Sequence, residues 1–334
     1  MKQFKKVKDV YTDPTGRAGD IYIIENGLHV RDVVIDAGIG TEICIGHTSD
    51  LHFNYCNARD MAEENPVVMS TLEHRVWQAN AKALPNAQRT LEFLAEHCEQ
   101  TVVNGDTLDY LTWGAMELMQ RNIWEKYPDI IATLGGHECV RRMQGEVEDT
   151  TTRESRLDIL KAFWKHDIYY YSKVIREKVM IIALFNDLSC FNQEQVEKFR
   201  ADLSLAKENG YVILVFAHEP IATHNPKDRA IEREDVLLLG DKSGFPINLC
   251  DGLKEDGSAL FLGNRLSDAP TMELYDLIVN NADTVKGVFV GHRHSHMYHE
   301  ILAKNSDGSD AIIPQYVNTA NSYHFGHAMR ICVR

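Results

Sequence analysis

Val288-Phe289-Val290-Gly291-His292-Arg293-His294 decides how this chain is read: a short β-branched, apolar run stops at a glycine, and two histidines follow. A run of this kind, bounded by Gly or polar residues, predicts a buried strand. The same phrase occurs three times earlier. Ile43-Cys44-Ile45 leads to Ser49-Asp50-Leu51-His52, Thr101-Val102-Val103 to Asn104-Gly105-Asp106, and Val212-Ile213-Leu214-Val215-Phe216 to Ala217-His218. A fifth run, Ile130-Ile131-Ala132-Thr133-Leu134, delivers Gly135-Gly136-His137-Glu138. Six side chains of metal-binding type (Asp50, His52, Asp106, His218, His292 and His294) are thereby expected at strand ends. In an open α/β sheet that edge is where sites are built, because the loops are free and the scaffold is rigid.

Outward from these strands, Ile21 to Asp36 alternates apolar and polar positions around Asn26-Gly27, which predicts a hairpin. Asn86 is placed to cap a helix with Ala87, Leu91, Leu94, Ala95 and Cys98 on one face, feeding the Thr101 strand. A further helix is expected around Thr71 to Ala83. Tyr169 to Ser172 and Val179 to Phe185 read as paired strands, Gln193 to Lys207 as an amphipathic helix, and Ala311 to Val317 and Ala328 to Val333 as two closing strands. Asn225-Pro226, Gly240, Gly244, Pro246, Gly252 and Gly263 mark the stretch after Pro220 as loop-rich.

The chain has 334 residues, with no Ser/Gly-rich linker or charge block to divide it, so one domain over 1–334 is expected, with insertions at about 53–85 and 220–283 covering the site. A net charge of −14 opposes a nucleic-acid backbone or an anionic membrane as partner. The basic opening Met1 to Lys8 is followed by no apolar stretch long enough to span a bilayer, and a cytoplasmic location is expected. Seven widely spaced cysteines without a Cys-x-x-Cys pair are expected to be reduced thiols that pack rather than react. Oligomeric state is not legible.

The blocks Asp-x-His, Gly-Asp-x-x-Asp, Gly-x-His-Glu, a lone His and Gly-His-x-His, in that order from about Ile43 to His294, resemble the calcineurin-like metallophosphoesterase superfamily. That resemblance implies a four-layer α-β-β-α sandwich of two mixed sheets with flanking helices, the metal site lying at the C-terminal edge of the strands. It further implies that Asp50, His52 and His294 hold one divalent ion, His218 and His292 a second, and that Asp106 bridges them. Carboxylate and imidazole donors without thiolate suit Mn, Fe or Zn. A hydroxide generated between the ions would then attack phosphorus in line, with His137 as general acid and Asp109 as the residue that orients it. Glu138 is a second candidate for that orienting role. Members usually carry Asn where this chain has Gly136, which implies a weaker second ion.

The function expected is therefore hydrolysis of a phosphate monoester or diester of a small molecule. Asn54, Arg141 and Arg142 are the candidate substrate contacts, the arginines because a guanidinium grips phosphate bidentately; Asn264-Arg265 and His224 are weaker candidates. His296 and His299 are expected as strand-edge residues rather than ligands. The string Asp109-Tyr110-Leu111 lacks the Asp-Arg-Gly of the protein-phosphatase branch. Two other readings are a catalytically impaired scaffold of the same fold, which rests on Gly136, and a nuclease, which the acidic balance opposes.

Overall fold

The computed structural model describes residues 19–24, 26–62, 81–139, 153–186, 190–221, 229–230, 252–253, 259–260, 269–294, 296–322 and 325–334. They form two compact units, one from Met1–Val34, Cys44–Ile168 and Ala320–Cys332, the other from Ile35–Ile43, Tyr169–Thr319 and Val333–Arg334. Each carries one mixed β-sheet with flanking helices, the α/β architecture expected from the alternation of strand and helix patterns.

The first unit holds β1 (Asp20–Ile23), β2 (His29–Ile35), β3 (Ile43–Thr48), β4 (Gln100–Asn104), β5 (Ile131–Thr133) and, from the C-terminus, β15 (His327–Val333). Their order in the sheet is β1-β2-β15-β3-β4-β5. β1 and β2 form the expected hairpin: Gly27 takes φ 80, and the Asn26 side chain accepts the Leu28 amide at 3.1 Å. β3, β4 and β5 run parallel, as buried apolar runs should. Helix α1 (Ala58–Ala62) precedes α2 (Ala81–His97), which buries Ala83, Ala87, Leu91 and Leu94 at helical spacing. Gly46 of β3 takes that helix at close range, since a Cβ there would sit 3.0 Å from the Leu94 side chain.

Asn86 is not the cap. The helix begins at Ala81 and runs through Pro85, whose ring removes only the bond to the carbonyl of the helix's first residue. Asn86 instead donates from Nδ2 to the Asn321 carbonyl at 2.9 Å. The cysteine expectation is also corrected. Cys44 of β3 and Cys332 of the neighbouring β15 form a disulfide across 288 residues of sequence, a pairing that linear spacing hides, and it removes the reduced-thiol argument for a cytoplasmic location. Helix α3 (Trp113–Met119), capped by Thr112, and α4 (Arg153–Phe163) complete the unit.

The second unit holds β6 (Tyr170–Ile175), β7 (Val179–Leu184), β8 (Val212–Ala217), β9 (Arg229–Ala230), β12 (Val285–Val290), β13 (Met297–Lys304) and β14 (Asp310–Val317), ordered β6-β7-β8-β12-β14-β13-β9. β10 (Gly252–Leu253) and β11 (Ala259–Leu260) pair separately, so Gly252 is a strand residue rather than a loop residue. β7, β8, β12 and β14 are parallel; β6, β13 and β9 are antiparallel additions. Helices α5 (Gln193–Asn209) and α6 (Ala269–Val279) supply Val196, Phe199, Leu203, Leu274 and Ile278 to a core with Ile213, Val215, Val288 and Val290. Each such side chain contributes about 1.5–3 kcal/mol by leaving water. A reciprocal capping box between Asn192 and Gln195 starts α5, and Gly210 at φ 69 ends it.

Residues 63–80 of the first expected insertion, most of the second, the Thr71 end of the expected helix and the basic Met1 to Lys8 stretch lie outside the described residues. No helix among the described residues is long and apolar enough to cross a membrane.

Candidate functional site

In the first unit the loops after β3 and β4 are laced together by backbone bonds. The amides of Asp50, His52 and Phe53 donate to the carbonyls of Gly105, Asp106 and Thr107 at 3.1, 2.9 and 2.7 Å, and the Asp109 amide returns to the Phe53 carbonyl at 3.0 Å. This lacing brings Asp50 and His52 beside Asp106, residues more than 50 apart in sequence. All three are buried, and they offer ligand atoms within 4.8 Å of one another.

The backbone at these positions is strained. Seven described non-glycine residues have positive φ: Arg176 and Glu177 in the β6–β7 turn, and Asp50 (56°), His52 (49°), Asp106 (49°), His292 (69°) and His294 (53°). Left-handed backbone costs a non-glycine residue about 1–2 kcal/mol. Five of the six predicted ligands carry that cost, which persists only where the surroundings over-determine it.

Asp109 is the hub of this unit. Its Oδ1 lies 3.0 Å from His52 Nδ1, and its Oδ2 accepts from Asn54 Nδ2 at 2.9 Å. With Nδ1 engaged as donor, His52 keeps the Nε2 lone pair for another partner, the usual arrangement behind a ligating histidine. Burial pulls the His52 pKa below the ordinary imidazole value against the opposing pull of Asp109, so the ring is held in the neutral, ligating form. Asn54, a candidate substrate contact, is buried with its amide nitrogen committed to Asp109.

His137 stands in the single 3₁₀ turn after β5, its side chain 31% exposed. Its Nδ1 donates to the Asp109 carbonyl at 2.7 Å and lies 3.4 Å from Asp109 Oδ1, while Nε2 is 4.0 Å from Asp106 Oδ2. Burial lowers its pKa, but the Asp106 charge and the Asp109 bonds outweigh burial and push it up to about 9. That shift favours the protonated ring at neutral pH.

Glu138, the other candidate for orienting His137, anchors backbone. Its buried carboxylate accepts the backbone amides of Asp106, Thr107, Leu108 and Gly135, tying the β4 and β5 loops together. Around Gly136 a Cβ would meet no described atom within 4 Å, so the absence of a side chain there is not imposed by crowding. Arg141, Arg142, His224, Asn264 and Arg265 lie outside the described residues.

In the second unit, His218 follows β8 and His292 and His294 follow β12. Asn186, buried just past β7, accepts the amides of His218 and Glu219 at 3.1 and 3.0 Å and donates to the Glu219 carbonyl at 2.7 Å. The Gly291 amide donates to the His218 carbonyl at 2.9 Å, and Thr319 Oγ1 holds the His294 carbonyl at 2.7 Å. The His218 and His292 rings stand edge to face with centroids 5.2 Å apart, with ligand atoms within 4.8 Å. His299 lies in β13 against Gln315, 3.0 Å away, and belongs to the sheet. Asn186 and Thr319 were missed by sequence reasoning. Asn186 had the signal, a polar residue directly after an apolar strand, that singled out the other loops.

The first unit thus presents buried carboxylate and imidazole donors and the second a set of imidazoles, the chemistry that borderline divalent metals take. Buried carboxylates beside imidazoles are costly without a cation or a full set of donors, so the residues fit such an ion.

The fold and these clusters define an α/β protein with divalent-metal donor sets at strand ends. No family model and no curated protein sequence matches the chain. Among solved structures it is similar to a dimetal phosphatase from Danio rerio, at 11% identity and TM-score 0.42 over 84% of this chain and 88% of that one. It is similar to a purple acid phosphatase from yellow lupin seeds (Lupinus luteus), at 12% identity and TM-score 0.46 over 92% of this chain and 50% of that one. A calcineurin-like phosphoesterase from Bacillus subtilis gives 14% identity and TM-score 0.36 over 84% and 82%.

Proposed function

We propose that this chain is a divalent-metal-dependent phosphoesterase of the calcineurin-like type, one catalytic domain over 1–334, hydrolysing a phosphate monoester or diester of a small molecule. The observation that carries the reading is the backbone: left-handed strain is concentrated on residues that the order of sequence blocks had already marked as ligands. In this reading Asp50, His52 and His294 would hold one cation, His218 and His292 a second, and Asp106 would be shared between the two sets. Two ions, of Mn, Fe or Zn, when bound, neutralise the phosphate and supply an activated water.

The chain's own residues do the rest. Asp109 fixes the tautomer of His52, and Asn54 fixes Asp109. His137, held through Nδ1 by the Asp109 carbonyl, gives its Nε2 proton to the leaving oxygen, assistance worth about 10²–10⁴ in rate. Glu138 and Asn186 hold the loop backbones so that the ligands need not be reorganised on binding. Arg141 and Arg142 are the proposed phosphate contacts.

The test is hydrolysis of para-nitrophenyl phosphate and bis-para-nitrophenyl phosphate by chelator-stripped protein titrated with Mn²⁺. Turnover that requires metal and disappears in Asp106→Asn supports the reading, and the preferred ester separates monoesterase from diesterase. Absence of both turnover and bound metal would leave a non-catalytic binding protein of this fold.

A further inference from the structure

β8, β12 and β14 lie side by side and parallel, and end at Ala217, Val290 and Val317. The residues that follow are His218, the Gly291-His292 pair and Asn318. The third has no assigned role. Its backbone is accounted for, because the Asn318 amide extends the ladder by donating to the Val290 carbonyl at 2.8 Å. Its side chain is not. Asn318 is 0% exposed, and neither Oδ1 nor Nδ2 has a hydrogen-bond partner among the described residues.

A buried amide lacking partners for both its atoms is rare in folded proteins, because it has given up water and gained nothing. An apolar residue would fill the same place without that penalty. The residue is opposite Gly291 in the β12–β14 register, one position past the Val290–Val317 pair, and Gly291 contributes no side chain to occupy the space. Gly291 is followed by His292 and donates its amide to the His218 carbonyl, so His218, Gly291 and Asn318 stand side by side at the ends of β8, β12 and β14. The partner that Asn318 lacks is one a ligand can supply, and the strand ends beside it carry His218 and His292, whose ligand atoms lie close enough to share one ion.

We infer that Asn318 supplies its amide Oδ1 as a further ligand to the divalent cation held by His218 and His292, an inference that rests on the metal reading above. An amide oxygen is a neutral, hard donor that complements two imidazoles without adding charge.

The experiment is Mn²⁺ titration of the full-length, chelator-stripped protein by calorimetry, with bound ions counted by electron paramagnetic resonance. It compares the wild type with Asn318→Ala, Asn318→Asp and His292→Ala. Asn318→Ala should weaken one of the two ions about tenfold or more and leave the other unchanged, and the near-isosteric Asn318→Asp should bind that ion at least as tightly as the wild type. Unchanged affinities in Asn318→Ala, or binding in Asn318→Asp as weak as in the alanine variant, would overturn the assignment. If Asn318→Ala does not fold, Asn318→Asp decides alone, weaker binding counting against the inference. Loss of one ion in His292→Ala with no effect at Asn318 refutes this inference only; retention of both ions in His292→Ala refutes the metal reading itself.

Discussion

Asp109 Oδ1 sits 3.0 Å from His52 Nδ1, closer than it sits to the Nδ1 of His137 at 3.4 Å. The carboxylate that the motif order assigns to the general acid thus serves a predicted metal ligand first, and it is the backbone carbonyl of Asp109 that chiefly holds His137. Asp109→Asn should therefore weaken Mn²⁺ binding about 10–100-fold, besides slowing turnover. A variant with normal Mn²⁺ affinity and a defect confined to esters with poor leaving groups would restore the simpler view of Asp109 as orienter of the acid alone.

Glu138 offers a test of loop anchoring. Glu138→Gln replaces one acceptor oxygen with a donor that faces backbone amides, so it should cost about 2–3 kcal/mol of stability. Urea denaturation of the metal-free protein measures this, and a loss under about 0.5 kcal/mol would mean that the loops hold together without it.

The strained ligand backbone predicts a difference between two small substitutions. Both His292→Gly and His292→Ala remove the imidazole, but only glycine relaxes φ 69, so the glycine variant should be more stable than the alanine variant by about 1 kcal/mol in the absence of metal. Equal midpoints would mean the left-handed turn is not strained.

Two histidines give opposite pH signatures. Burial drives the pKa of His47 down to about 3; Asp50 opposes this and Arg31 adds to it. Because the unfolded ring titrates near 6.5, the stability His47 carries is whole above that pH and drains away as pH falls from 6.5 toward 3. His47→Asn should flatten the acid limb of the urea midpoint against pH. His137 is raised to about 9, so its stabilising contribution is whole below 6.5 and lost as pH rises through about 9. In the metal-free protein its ring protons should titrate near that value by nuclear magnetic resonance, and a midpoint near 6.5 would contradict the reading.

The Cys44–Cys332 disulfide predicts no more than five titratable thiols in the unreduced, denatured chain, seven cysteines less the two bonded. Reduction should lower stability by about 2–4 kcal/mol. Seven thiols before reduction would return the cysteines to the state that their spacing suggested.

What the sequence alone determined is whatever has a local period or a fixed offset. Apolar runs followed within a few residues by Asp or His marked β3, β4, β5, β8 and β12 with the candidate site residues after them, Asn26-Gly27 marked a hairpin, and Gln193 to Lys207 marked α5. β13 and α6 were not read, because β13 is apolar or buried at most positions without alternation and α6 sits at the end of a Gly-rich stretch. Only the tertiary structure decided the rest. Glu138 binding the amides of residues 106–108, Asn186 holding His218, Asn86 serving Asn321 rather than a helix end, and Cys44 meeting Cys332 all join groups roughly 30 to 290 residues apart. Nothing in a residue's neighbours along the chain encodes such a partner, because a buried donor or acceptor is satisfied by whatever the packed chain brings within 3 Å, and that is settled only when the strands are laid side by side.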